Sequence, residues 1–182
     1  MTIDIRWFAP LAALAAATPQ CIAAQYMSVD QARGLIFDKA QEFVPSSIEL
    51  TPDQLQQLEH ESGVKSRTPK QAIWRAMVGG KMLGWFIIDQ VIGKHELITY
   101  AVGLNLDGTL KQMQVIDYKE AWGYQVRELK WRDQFVGKST TDALKIGTDI
   151  GNISGGTLSA NSMTNGMKRL LFLHRLVLRN TP

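Results

Sequence analysis

The chain has 182 residues, 45% of them hydrophobic and 20% charged, which is a globular composition at one-domain length with a short segment to spare. Its 20 basic and 17 acidic side chains leave a net charge of +3 with no Lys/Arg cluster, which argues against nucleic acid as a partner. Cys21 is the single cysteine, so no disulfide framework holds the fold and stability must come from a core.

Residues 1–24 read as a secretory signal peptide. Arg6 supplies a positive charge, residues 7–17 form an apolar run of 11, and Ile22-Ala23-Ala24 gives a small-residue exit before Gln25. The run falls short of the about 20 apolar residues of a membrane-spanning helix. The expected location is periplasmic or otherwise extracytoplasmic, and membrane-associated if the segment is kept as an anchor.

Residues 25–70 read as an N-terminal helical segment. Ser28 can cap a first helix, with Gln31 placed for a capping box, and Leu35, Ile36 and Lys39-Ala40 continue its pattern until Pro45. Thr51 caps a second helix with Pro52 in its first turn, Leu55 and Leu58 as its apolar stripe, and Gly63 at its end. From residue 71 the period changes to that of strands. Residues 72–78 and 82–88 flank Gly79-Gly80, and residues 95–105 and 110–118 flank Asp107-Gly108, which predicts two antiparallel hairpins. Residues 119–159 predict loops and short turns. A closing helix is predicted from about residue 162 to 179, carrying Met163, Met167, Leu170 and Leu171. The expected fold is α+β: an antiparallel β-sheet flanked by helices, with one domain over residues 71–180.

The chemistry concentrates between Asp149 and Ser159. There Ser154-Gly155-Gly156-Thr157-Leu158-Ser159 forms a Gly-rich loop with three hydroxyls ahead of a helix. Free backbone N–H groups and the helix dipole favour an anion at such a place, so the residues alone predict a phosphate site. Gly137-Lys138-Ser139-Thr140 mimics the end of a P-loop, but Arg132 stands where that pattern needs Gly. His60, His95 and His174 share no metal-ligand spacing. Ser154 lacks the Gly-x-Ser-x-Gly frame of a nucleophile elbow, because Asn152 stands at its first glycine.

This loop resembles the flavinylation motif of the FMN-binding domain family. Its members include the C subunit of the sodium-pumping NADH:quinone reductase and the G subunit of the Rnf complex. The resemblance implies that a flavin transferase joins FMN by a phosphoester to Thr157, with Asp149, Ser154 and Gly155 as recognition residues, Ser159 as the trailing hydroxyl and Leu158 between them. Gly156 stands where the family usually has Ala. The upstream run Glu120-Ala-Trp122-Gly123-Tyr124, then Trp131 to Phe135 and Gly137-Lys138, resembles the family's preceding block. Residues 164–171 resemble its closing helix. The resemblance covers roughly residues 95 to 178. On that basis Trp122 and Tyr124 are expected to pack on the isoalloxazine ring or line its edge. Backbone groups around Gly123 are expected to bond the ring's carbonyls, and Glu120 to position the ring or the ribityl chain.

Three functions compete. One is an electron carrier between a membrane-bound or periplasmic redox partner and an acceptor. The second is a flavin-dependent reductase of a small molecule or ferric chelate. The third is a binding module without flavin. The carrier leads, because no residue stands out as a proton donor to an organic substrate and no second domain is present to hold one.

Overall fold

The structure, a computed structural model, describes residues 26–180. The expected signal peptide lies outside the described residues. Helix α1 (Val29–Ile36) and strands β1 (Glu42–Pro45) and β2 (Ile48–Glu49) precede helix α2 (Pro52–Ser62). Strands β3 (Lys70–Val78), β4 (Lys81–Ile92), β5 (Leu97–Asn105) and β6 (Leu110–Tyr118) follow. A short helix α3 (Leu129–Arg132), flanked by two 3-10 turns, and a long helix α4 (Thr157–Leu176) complete the elements that position the site.

All strand pairs are antiparallel, in the order β1-β3-β4-β5-β6, with β2 also on the free edge of β3. The predicted hairpins are present. Gly79 and Gly80 both have positive φ, at 54° and 75°, which is the primed turn that matches strand twist. Both predicted N-terminal capping boxes are also formed, at Ser28–Gln31 and Thr51–Gln54. The fold is α+β, as expected.

Both faces of the sheet are covered. On one, α2 and α4 bury Leu58, Met163, Met167 and Leu170 against Ile73, Trp85, Ile87 and Val102. On the other, α1 packs Ala32, Ile36 and Phe37 against Ala76, Phe86, Ala101 and Ile116. Burial of side chains like these is worth roughly 1.5–3 kcal/mol each before entropy is counted, so the N-terminal helix is part of the core.

Two boundaries differ from the sequence pattern. The first helix stops at Ile36, and residues 42–45 join the sheet as an edge strand where a helix was expected to continue. Phe37 leaves the helix because its ring fills the space over Gly84 and Gly103, and Pro45 is tolerated because the strand is at an edge. The segment 25–70 is therefore helical only in part. The closing helix starts at Thr157, five residues before the predicted start, so Thr157 lies on the helix and not before it.

Candidate cofactor site

Thr157 is the first residue of α4, and Gly156 is its N-cap, with no side chain capping the helix. The opening N–H groups of a helix have no partner within it, and here no Ser, Asp or Asn oxygen replaces one. Thr157 is exposed, and its hydroxyl lies 3.5 Å from the Ile153 carbonyl oxygen, too long to hold it. Ser154 and Gly155 are exposed beside it. A free hydroxyl thus sits among free N–H donors at the positive end of a 20-residue helix.

The loop is held in place from three sides. Trp131 donates its indole N–H to the Gly151 carbonyl at 2.9 Å, and the Gly151 N–H donates to Gln134 Oε1 at 2.7 Å. Trp131 is itself buried, edge-on to Phe135 with ring centroids 5.0 Å apart. On the second side Gly156 meets Gly123. A Cβ on Gly156 would come 2.5 Å from Gly123 Cα and 2.7 Å from Ile153 Cγ2. Gly123 has φ of 83°, so both partners of this contact need to be glycine for different reasons: one for room, one for backbone conformation. On the third side the Tyr118 hydroxyl, which bonds the Trp122 carbonyl, lies 3.2 Å from Ser159 Oγ. Burial raises the Tyr118 phenol above its ordinary value. Ser159 is buried and so anchors α4 to β6.

These contacts bring Gly123, Ser154, Gly155, Gly156, Thr157, Leu158 and Ser159 to one place. Trp122 and Tyr124 flank Gly123 and are 72% and 54% exposed, and Leu158 is 54% exposed. Three large side chains on the segments that meet at Gly123 and Gly156 therefore remain exposed. Beside the loop is a cavity of about 550 Å³, lined by Gln125, Trp131, Gln134, Asn152, Ile153 and Ser154. Its size suits a small molecule. Gln125 lines this cavity, and its buried Oε1 has no hydrogen-bond partner among the described residues, an acceptor still unmet. The donors, the acceptor and the apolar surround fit a phosphate joined to a heteroaromatic ring.

Two predicted residues are turned elsewhere. The Asp149 carboxylate accepts the Leu144 and Lys145 N–H groups at 3.0 and 2.8 Å and pairs with Lys138 at 3.2 Å. Burial raises its pKa, but these partners outweigh that and hold it below the usual carboxylate range. It shapes the turn that delivers the loop. Glu120 accepts the His95 and Glu96 N–H groups at 2.6 and 2.9 Å, closing the β4–β5 turn. Burial raises its pKa as well, and the same N–H groups bring it below the ordinary value. Tyr118, Gln125 and Gln134 were missed in the sequence. Gln134 and Gln125 lie inside or beside the recognised upstream block, but nothing in a glutamine's type marks it as a loop anchor.

Residues 93–171 match the family model described as "FMN-binding domain". No curated protein matches the chain in sequence. Among solved structures, NqrC of Shewanella oneidensis is 17% identical and covers 78% of this chain and 86% of its own, with a TM-score of 0.53, which is a likeness of fold. The C subunit of the Na(+)-translocating NADH-quinone reductase of Parabacteroides distasonis is 14% identical over 70% of this chain and 78% of its own, with a TM-score of 0.43. The match marks residues 93–171 as an FMN-binding domain, with FMN as its cofactor.

Proposed function

We propose that this protein is an extracytoplasmic electron-transfer flavoprotein whose FMN is joined through its phosphate to Thr157. The observation that carries this is the uncapped first turn of α4, which presents the exposed Thr157 hydroxyl beside free N–H donors. The N–H groups offset phosphate charge, and Gly155 and Gly156 let the backbone approach it. Bound FMN supplies the exchange of one or two electrons. Trp122, Tyr124 and Leu158 would shelter the ring and present an apolar rim to a redox partner, and Gln125 would accept a ring N–H.

A tether suits export, because FMN lost outside the cytoplasm is not readily replaced. The signal-like residues 1–24 support export, and the redox partner is then a membrane-bound or periplasmic protein. Among the described residues no helix is long and apolar enough to cross a membrane.

Co-expression with a flavin transferase, followed by denaturation and intact mass spectrometry, tests the linkage. The wild type gains the mass of one FMN by phosphoester, and Thr157→Ala gains none. An unmodified wild type under those conditions refutes the attachment. To separate carrier from reductase, the flavinylated protein is photoreduced and mixed with ferric chelates and quinones in catalytic excess. Turnover without a partner protein would establish the reductase reading in place of the carrier.

A further inference from the structure

A second cavity of about 550 Å³ lies further along α4, between that helix, β4 and the connection from α2 to β3. It shares no lining residue with the cavity beside the flavin loop. Apart from its α4 residues, its lining precedes residue 93 and so lies outside the stretch that matches the family model. From α4, Ser162, Asn165, Gly166 and Arg169 face it, the spacing of one helix side.

The inner wall is a closed polar network. Arg169 pairs with Asp89 at 2.6 Å and donates to Gln71 Oε1 at 3.2 Å, and the Tyr100 hydroxyl donates to Asp89. Arg169 and Asp89 are both about nine-tenths buried, and each cancels the other's charge. The network therefore leaves the cavity neither an unmet carboxylate nor an unmet guanidinium. The mouth differs. The side chains of Lys65, Arg67, Ser162 and Asn165 line it and make no hydrogen bond or ion pair with the described residues. Lys70, at the same mouth, pairs loosely with Glu49 at 3.7 Å, and both side chains are largely exposed, so that pair holds little charge in place. Apolar surface comes from Val64 and Val91, the latter packed on the α4 side of the sheet, and Thr68 and Gln90 add polar lining.

An apolar wall, two free cations and two free neutral hydrogen-bonding groups define a ligand class. A metal cation is repelled by Lys65 and Arg67. A bare inorganic anion leaves the apolar surface wet, and a neutral apolar molecule leaves the cations unused. We propose that this cavity binds a small amphipathic organic anion. Its apolar body lies on Val64 and Val91, and its anionic group lies between Lys65 and Arg67, with Ser162 and Asn165 as further partners. Its volume falls within the range of small-molecule sites.

This proposal does not require flavin on Thr157. The test titrates the full chain with naphthalene-2-sulfonate by calorimetry, using flavinylated wild type and the Thr157→Ala protein, and repeats it with 2-naphthamide and with inorganic phosphate. One-site binding is expected in both proteins, with naphthalene-2-sulfonate at least tenfold tighter than either comparison ligand. The exposed pair Lys65→Glu/Arg67→Glu is expected to weaken it more than tenfold while its melting temperature stays near wild type. Amide shift changes at Gln71 and Gly166, without change at Gly123, would place the ligand here. Binding that is absent, that is equal for the neutral amide or for phosphate, or that survives the charge reversal overturns the proposal. Binding by Thr157→Ala with no FMN adduct on wild type would retain this site while refuting the attachment.

Discussion

Gly156 is where a single methyl decides whether the loop can close. The family resemblance has Ala at this position, but here a Cβ would strike the Gly123 backbone and Ile153. Neither neighbour is the free end of a flexible chain, so relief requires the 119–123 turn to move. Gly156→Ala is expected to cost about 1–3 kcal/mol, the range for overpacking a filled site, read as a lower urea midpoint at unchanged slope. A neutral or stabilising result would show that the two glycines are not in contact in solution. At the same scale, Asp149 shows how nearness in sequence misleads. It stands close to the motif, yet its carboxylate is occupied by Leu144, Lys145 and Lys138. Asp149→Asn keeps the shape, weakens the Lys138 pairing and should lower stability more than it lowers flavin attachment. Comparing the urea midpoint with the FMN-adduct fraction checks this.

Among the elements, α4 carries most of the design. Gly166 is in its interior, where replacement by Ala ordinarily stabilises a helix by about 1 kcal/mol. Here the new Cβ would fall on the Tyr100 hydroxyl, which is fully buried and bonded to Asp89. The clash exceeds the propensity gain, so Gly166→Ala should lower the melting temperature, and a rise would contradict the packing. The hairpins were legible in the sequence because alternation and Gly79-Gly80 depend on neighbours only. The end of α1 was not, because Phe37 turns inward to meet β4 and β5, which lie about 50 residues or more away in the chain. The start of α4 was hidden because Thr157, Leu158 and Ser159 look like loop, and their helical state depends on Gly156 and Ser159 being fixed against Gly123 and Tyr118. The network of Gln71, Asp89, Tyr100 and Arg169 draws on four elements, and no local pattern announces it.

For the whole molecule, the titrating groups set a direction for acid stability. Burial holds the His174 imidazole below its ordinary pKa, with Asp107 opposing and Arg179 reinforcing that shift. Asp107, Glu120, Asp142 and Asp149 are also held low, chiefly by backbone N–H donors working against burial. A lowered folded pKa means that the unfolded chain takes up protons first. The stabilisation is then complete above the unfolded value and is lost as pH falls through the folded one. Stability should start to decline below about pH 6.5 through His174, and fall more steeply below about pH 4 through the carboxylates. Thermal melts across that range check both parts, and His174→Gln should remove the first without the second. The missing cap on α4 has its own consequence at this scale. If the flavin phosphate settles on those N–H groups, it serves as the cap that the sequence omits, worth about 0.3–1 kcal/mol at the helix end. Loading would then add the missing cap to a turn that Gly123 and Tyr118 already hold in place, so the loaded protein should melt slightly higher than the empty one.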